Sequence, residues 1–215
     1  MQTIKAVIFD LDGTIANTLP LCVAAFRQAV EPLVQHTLSD EEIMATFGPS
    51  EEGTIMALAP QHYEKGIADY LRLYEEMHTL CPTAFEGIPT ILSTLQSRPI
   101  RIAMVTGKGK YSTAISLQQF ALTHYFEFIE TGNAAGPCKP AGIEKITQLL
   151  SPIPKEQIIY VGDAPSDIIA SRKVGIPVVA AAWAGTAEPE KLLALEPDEL
   201  FYSIADFANW LYARI

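Results

Sequence analysis

Short apolar runs alternate with longer amphipathic segments along most of the chain. Six runs rich in β-branched residues predict strands, namely Lys5–Phe9, Arg101–Val105, Glu127–Glu130, Gln157–Val161, Pro177–Ala181 and a weaker one near Glu199–Tyr202. Two of these stretches, Ala6–Phe9 and Ile158–Val161, are apolar throughout. Such continuous apolar runs are typical of a parallel sheet that is covered on both faces.

Helical periodicity separates these runs. Apolar positions at three- and four-residue spacing predict helices at Ile88–Gln96, Ser112–Phe120, Gly142–Leu150, Ser166–Val174 and Glu188–Leu195. Ser112 and Ser166 are predicted as the N-caps of their helices, since a serine hydroxyl can accept from the first free amides. The alternation of strand and helix predicts an α/β fold with a doubly wound, Rossmann-like parallel sheet.

One long stretch breaks the alternation. No segment between about Ala16 and Ala84 predicts a strand, whereas four segments have helical periodicity: Leu19–Val34, Ser39–Thr46, Gly53–Leu58 and Tyr63–Met77. The sequence therefore predicts two parts. Residues 1–15 and 85–215 would form an α/β core, and residues 16–84 would form a small all-helical domain inserted after the first strand.

Composition and charge narrow the classes of partner. The 215 residues are 49% hydrophobic and 19% charged, which is the balance of a folded globular chain. A net charge of −10 disfavours binding to nucleic-acid phosphates or to an anionic membrane surface, so neither partner is expected. No membrane-spanning segment or signal peptide is recognisable, and the three cysteines form no C-x-x-C pair, which favours a reduced, cytoplasmic protein.

Candidate catalytic residues begin directly after the first predicted strand, in Asp10-Leu11-Asp12-Gly13-Thr14. Two acids two residues apart would point the same way in extended chain, because side chains alternate with a period of two. Paired carboxylates suit a divalent cation, or a nucleophile beside a general acid. An Asp-Gly turn exposed to solvent is the structural alternative.

Three further motifs follow other predicted strands: Thr106-Gly107, Cys138-Lys139-Pro140 and Gly162-Asp163 with Asp167. Judged singly, each has a structural explanation as a turn, a helix cap or a solvated lysine. The carboxyl ends of parallel strands meet at one edge of a sheet, however, so all four motifs are predicted to come together. Four acids, a hydroxyl, a glycine amide and a lysine suit a magnesium site beside a phosphate cradle.

In this order, the four motifs resemble those of the haloacid dehalogenase superfamily of phosphohydrolases. The helical insert resembles the cap of that superfamily's phosphoglycolate phosphatase and β-phosphoglucomutase branch. The resemblance implies that Asp10 is the nucleophile and forms an aspartyl-phosphate, and that Asp12 protonates the leaving oxygen and later activates water. It also implies a Mg²⁺ cofactor and a small-molecule phosphate ester as the substrate.

The same resemblance implies the remaining ligands. Mg²⁺ would be bound by the carboxylates of Asp10 and Asp163 and by the backbone carbonyl of Asp12, with Asp167 supporting the metal site or orienting Lys139. The substrate phosphate would be bound by Thr106, Gly107 and Lys139.

The identities of Asp12 and Thr14 indicate which branch of the superfamily the chain resembles most. In the dehalogenases and phosphonatases that the chain resembles, the second acid is replaced, and Thr14 fits the phosphatases better than the mutases. We therefore expect a Mg²⁺-dependent, phosphoglycolate-phosphatase-like hydrolase of a small phosphomonoester, acting as a monomer or homodimer. Two alternatives stay open: a phosphosugar mutase, and a phospho-ligand-binding protein without catalysis.

The predicted insert carries much of the negative charge. Residues 16–84 hold ten acids and only three bases, Arg27, Lys65 and Arg72. A highly anionic leaving group is therefore disfavoured in the cleft unless one of these three cations reaches it.

Overall fold

A computed structural model describes residues 3–215 of the chain. Six parallel strands form one sheet in the order β3-β2-β1-β4-β5-β6. Their bounds are β1 (Ala6–Phe9), β2 (Arg101–Val105), β3 (Phe128–Glu130), β4 (Ile158–Gly162), β5 (Val178–Ala181) and β6 (Glu199–Phe201). The predicted doubly wound α/β fold is confirmed, and each of the six predicted strands corresponds to an observed one.

Strand β1 lies at the centre of the sheet and pairs with a neighbour on each side. Ile8 is in register with Ala103 of β2 and with Tyr160 of β4. All four residues of β1 are buried, which explains why the strand reads as an unbroken apolar run. The chain therefore leaves the middle of the sheet at Asp10, the place where open α/β sheets bind ligands.

Six helices cover the sheet: α5 (Ile88–Gln96), α6 (Lys110–Gln119), α7 (Lys139–Leu149), α8 (Pro165–Val174), α9 (Pro189–Leu193) and α10 (Ile204–Tyr212). On one face, Val7 and Phe9 of β1 pack in a core that includes residues of α5 and α10. On the other face, Ala6 and Ile8 pack in a core that includes residues of α7 and α8. Alternate residues of one strand thus serve two cores, as side-chain alternation requires.

Four further α-helices of the described chain lie between β1 and α5: α1 (Leu19–Val34), α2 (Asp40–Met44), α3 (Glu51–Leu58) and α4 (Tyr63–Glu76). They share an apolar core of their own, in which Phe26 and Tyr70 stack with ring centroids 4.1 Å apart. We call residues 16–84 the insert. Core helix α6 packs against it, since Ile115 and Phe120 contact the insert's core.

The short connections include four single-turn 3₁₀ helices, at Pro60–His62, His78–Leu80, Thr123–Tyr125 and Lys155–Gln157. Among the helices of residues 3–215, none combines the length and the apolar character that crossing a membrane requires.

The two predicted serine N-caps are wrong. Helix α6 begins at Lys110 with Gly109 as its N-cap, and Ser112 lies buried inside the first turn. Helix α8 begins at Pro165 with Ala164 as its N-cap. Proline is well suited to the first helical position, because its missing N–H is one that the helix leaves free anyway. The Ala164 amide donates to Asp167 Oδ2 at 2.9 Å, so that a carboxylate of the first turn accepts the N-cap amide, which is one half of a capping box.

Candidate active site

The Asp10 carboxylate lies at the end of the central strand, with only 3% of the residue exposed. Its backbone N–H donates to the Val161 carbonyl oxygen at 2.9 Å, which extends the pairing of β1 with β4 by one residue. The chain then turns at Gly13, which has a φ of +74° that favours glycine. Rigid strand geometry therefore fixes Asp10, and a tight turn begins immediately after it.

Lys139 joins two of the predicted acids. Its ammonium lies 2.8 Å from Asp10 Oδ2 and also donates to Asp167 Oδ1. Burial on its own would lower the pKa of Lys139, but the Asp10 and Asp167 carboxylates outweigh it and raise the pKa. Lys139 is the first residue of α7 and not a loop residue, so a helix holds its charge in place.

Asp167 is fully buried and its position is fixed by several bonds. Besides accepting from Lys139 and from the Ala164 amide, its Oδ1 lies 3.0 Å from the Tyr160 hydroxyl. A buried carboxylate needs such partners, since desolvation of an isolated charge is costly. Asp167 is therefore a rigid support for the Lys139 ammonium.

Three carboxylates, those of Asp10, Asp163 and Asp167, offer oxygen atoms that all lie within 4.8 Å of one another. Burial raises the pKa of Asp10 to about 6, although the Lys139 ammonium opposes the change. Burial and the neighbouring Asp10 and Asp167 charges raise the pKa of Asp163 well above its usual range. One lysine is therefore too little positive charge for this cluster of acids.

Two details fit a divalent cation at this cluster. Asp10 Oδ1 is buried, and no donor within the described residues bonds to it. A Cβ atom on Gly13 would come within 1.9 Å of Asp163 Oδ2, so the absence of a side chain leaves room for that carboxylate. Hard oxygen ligands around an unbalanced negative charge are what Mg²⁺ prefers.

Thr106 and Gly107 follow β2 and lie next to the acidic cluster. The Thr106 amide donates to the Glu130 carbonyl oxygen at 3.0 Å, and Thr106 Oγ1 accepts the Lys108 amide at 3.2 Å. A Cβ atom on Gly107 would be 3.9 Å from Lys139 Cε, which brings this turn beside the lysine. The Thr106 hydroxyl proton is not used in the bond from Lys108 and is free to donate.

Asp12 is not one of the three clustered carboxylates among residues 3–215. Its Oδ1 accepts from the Thr18 hydroxyl and lies 3.3 Å from Lys108 Nζ. Besides burial and Asp167, the Asp12 charge contributes to the raised pKa of Asp10. That both carboxylates point the same way stays a prediction.

The family model for haloacid dehalogenase-like hydrolases matches residues 7–181, which include β2 to β5, all of β1 except Ala6, and every residue of the candidate active site. The chain belongs to the haloacid dehalogenase-like hydrolases. The resemblance seen in the four sequence motifs is therefore confirmed at the level of the family.

Other haloacid dehalogenase-like proteins resemble this chain over nearly its full length. The pyrophosphatase PpaX of Bacillus pumilus is 31% identical over 207 residues, which covers 95% of both chains. Among solved structures, a predicted phosphoglycolate phosphatase from Haemophilus somnus matches with a TM-score of 0.78 at 22% identity, over 98% of this chain and 99% of the other. CbbY from Rhodobacter sphaeroides, solved in complex with phosphate, matches with a TM-score of 0.77 at 18% identity, over 95% and 96%. The two structures support the fold.

Sequence reasoning gave no role to Lys108, although this hydrolase buries its side chain to 2% exposure. The ammonium lies 3.3 Å from Asp12 Oδ1, 3.1 Å from Cys22 Sγ and 4.6 Å from the centroid of the Tyr74 ring. Lysine is rarely buried unless it is paired, and Lys108 follows Thr106-Gly107 directly in the sequence. Its position in that motif was the available signal, but the partners come from distant parts of the chain.

The three cations of the insert are engaged elsewhere in this hydrolase. Arg27 pairs with Asp40, while Lys65 and Arg72 pair with carboxylates one helical turn away, at 2.6 Å from Asp69 and 2.8 Å from Glu76. The positive charge beside Asp12 therefore comes from Lys108 of the core, and not from the insert.

Proposed function

We propose that this hydrolase releases phosphate from a small phosphate ester, with Asp10 as the nucleophile. The observation that carries the proposal is the arrangement around Lys139. Its ammonium contacts both Asp10 and Asp167, and no donor of residues 3–215 bonds to the second, buried oxygen of Asp10, which lies beside Asp163. A nucleophilic carboxylate that attacks an anionic phosphate requires such positive charge on one side and an unblocked oxygen on the other.

Mg²⁺ fits as the cofactor, with the carboxylates of Asp10 and Asp163 and the backbone carbonyl of Asp12 as its protein ligands. When bound, it would supply the positive charge that this acidic cluster lacks and that the phosphate transition state requires. The Asp167 carboxylate already accepts from Lys139, Tyr160 and the Ala164 amide, so it is not needed as a metal ligand. Its role in the proposal is to hold Lys139.

In the proposed reaction, each residue of the site has a distinct role. Asp10 attacks phosphorus and forms an acyl phosphate, and the bond between phosphorus and the leaving oxygen breaks. Asp12 gives that oxygen a proton, and afterwards takes a proton from the water that hydrolyses the acyl phosphate. Thr106, Gly107 and Lys139 hold the oxygens of the transferring phosphoryl group, where negative charge is spread.

The insert is proposed as a cap that covers this reaction. It lies between β1 and β2 in the sequence, and the Asp12 carboxylate already contacts Thr18 at its start. Closing over the site would enclose the leaving group and shield the attack of Asp10 from bulk water, and reopening would admit the water that hydrolyses the acyl phosphate. Residues 16–84 as a cap and residues 1–15 with 85–215 as the core remain our proposed division.

Pyrophosphate is a second candidate substrate, favoured by the PpaX relative at 31% identity, which is described as a pyrophosphatase. Its leaving group is phosphate, which is anionic and departs more readily than an alkoxide. Lys108 beside Asp12 would place a buried cation near such a group. This observation counters the expectation that the acidic insert disfavours an anionic leaving group.

Phosphate release from a substrate panel tests the proposal. The panel contains p-nitrophenyl phosphate, phosphoglycolate, sugar phosphates and pyrophosphate, each with Mg²⁺ and with EDTA. We expect Mg²⁺-dependent release that is abolished in Asp10→Asn. Retained turnover in that variant would exclude Asp10 as the nucleophile, conversion of a sugar 1-phosphate to the 6-phosphate would indicate a mutase, and no turnover anywhere would indicate a binding protein.

Asp12→Asn separates the two substrate classes. An alkyl ester needs the acid to protonate its leaving oxygen, whereas a phosphate leaving group needs it less. We therefore expect Asp12→Asn to lower kcat more for phosphoglycolate than for pyrophosphate. Equal losses would mean that Asp12 does not act as the acid.

A further inference from the structure

The Glu51 carboxylate reaches from the insert into the core. Glu51 is the first residue of α3, yet it is only 6% exposed. Its Oε2 accepts the Gly109 N–H at 2.6 Å, and its Oε1 accepts from the Ser112 hydroxyl. Both partners lie at the start of α6, so this buried acid of the insert bonds to core residues.

Helix α6 lacks a capping side chain of its own. Its N-cap is Gly109, which has none, while the first amides of a helix need acceptors and carry partial positive charge. Glu51 supplies an acceptor from a different part of the chain. The bond exists only while the insert is docked on the core, because α3 moves with the insert.

Lys108 connects this contact to the proposed acid. Its ammonium lies 3.9 Å from Glu51 Oε1 and 3.3 Å from Asp12 Oδ1. A buried ammonium is stable only beside compensating negative charge, and here one carboxylate comes from the insert and one from the core. Cys22 Sγ and the Tyr74 ring, both of the insert, complete its surroundings.

We propose that Glu51 is a positioning residue that acts through Lys108 and couples docking of the insert to the placement of Lys108 against Asp12. With the insert docked, Glu51 fixes both the start of α6 and the ammonium. With the insert lifted, Lys108 loses Glu51, Cys22 and Tyr74 together, and its position against Asp12 is no longer held. The arrangement around Asp12 is then complete only when the cleft is closed, and this catalytic half of the inference rests on the proposed function.

Glu51→Gln tests the proposal, because it keeps the size and an acceptor oxygen for Gly109 while removing the charge. Its new NH₂ group can donate to the Ser112 hydroxyl, which also donates to the Gly109 carbonyl oxygen. Glu52→Gln is the matched control: the same charge is lost one residue away, from a carboxylate that bonds to Ser50. Three readouts apply, namely kcat and KM with phosphoglycolate and Mg²⁺, because its alkoxide leaving group needs the acid, hydrogen exchange of amides 109–113, and acetylation of Lys108 followed by mass spectrometry.

For Glu51→Gln we expect kcat to fall about tenfold while KM changes less than about threefold, since the charge places catalytic groups and does not bind substrate. Exchange at residues 109–113 and acetylation of Lys108 should both accelerate. Glu52→Gln should match the wild type in all three readouts. In a Lys108→Met background, Glu51→Gln should have little further effect on kcat, because the residue through which it acts is gone.

Several results would overturn the proposal: a kcat within twofold of wild type, equal effects of Glu51→Gln and Glu52→Gln, or full additivity with Lys108→Met. Should the wild type release phosphate from none of the substrates, the proposed function fails. Hydrogen exchange and acetylation then test separately whether Glu51 holds the start of α6 and Lys108 in place. Exchange and acetylation rates in Glu51→Gln that equal those of the wild type would refute this part of the proposal. Glu51→Ala, which also removes the hydrogen bonds, should accelerate exchange further than Glu51→Gln.

Discussion

Replacing Asp10 by asparagine should stabilise the metal-free protein while it abolishes turnover. The wild-type carboxylate is buried beside two other acids, and Lys139 compensates only part of the negative charge. Asparagine has nearly the same shape as protonated aspartate and carries no charge. Lys139 keeps its contact with Asp167 in the variant, so that its ammonium is not left without a partner.

The magnitude follows from the pKa of Asp10. A folded-state pKa of about 6, against an ordinary value of 3.8, means that ionisation of this group disfavours the folded state by about 3 kcal/mol. Because the folded pKa is the higher one, the wild-type contribution is fully present below pH 3.8 and is lost as the pH rises through 6. Asp10→Asn escapes this loss. Its advantage should therefore be near zero at pH 4 and about 3 kcal/mol at pH 8.

Denaturant unfolding, followed through Trp183 and Trp210 fluorescence, measures the difference. Trp183 is a suitable probe because its indole N–H donates to the Thr14 carbonyl oxygen at 3.1 Å, next to the site. Both proteins are unfolded at pH 4, 6 and 8 in EDTA, and again in Mg²⁺. The metal should stabilise the wild type more than the variant, since it binds the folded state through the carboxylate that the variant lacks.

Two results would refute this reasoning. One is a variant that is less stable than the wild type at pH 8 in EDTA. The other is a stability gain that does not change with pH. Asp163→Asn should respond in the same direction, because burial and the same neighbours raise the pKa of Asp163.

Three further substitutions test individual contacts. Lys139→Met should lower kcat at least about 100-fold by removing a donor to the phosphoryl oxygens, while Lys145→Met, which removes a surface ion pair with Glu130, should match the wild type in phosphate release. Gly13→Ala should weaken Mg²⁺ binding in calorimetry, because the new methyl would overlap Asp163, whereas Gly185→Ala meets no atom and should bind normally. Tyr160→Phe should lower the free energy of unfolding by about 1–3 kcal/mol, and Tyr202→Phe, at an exposed position, should leave it unchanged.

The fold could be predicted because its signals are local. The apolar runs of β1 and β4 and the helical periodicity of residues 19–34 lie within single segments, and the structure confirms both. The N-caps of α6 and α8 could not be predicted from the local sequence alone. Ser112 is a good capping residue by type, but its hydroxyl bonds to Glu51, which is distant in the sequence.

In the candidate site, too, some features could be predicted from local sequence and others depend on distant residues. Asp10, Lys139, Asp163 and Asp167 could be placed together, because each follows a strand or begins the helix beyond one, and parallel strands end at one edge. The contacts of the Asp12 carboxylate could not be predicted, since Thr18 and Lys108 reach it from other parts of the chain. The partners of Lys108 could not be predicted either, because Cys22, Glu51 and Tyr74 approach it only after the insert has docked.

The position of the insert in the sequence also determines when the central strand β1 can fold during synthesis. Strand β1 is made first, but its neighbours β2 and β4 begin only at Arg101 and Ile158. At a typical rate of protein synthesis, β1 waits on the order of ten seconds for its first partner. The insert, which has a core of its own, emerges completely in that interval. In chains halted on the ribosome after the insert has left the exit tunnel and before β2 has, we expect the helices of the insert to resist proteolysis while β1 does not, so that the strand leading to Asp10 is made before the insert and protected after it.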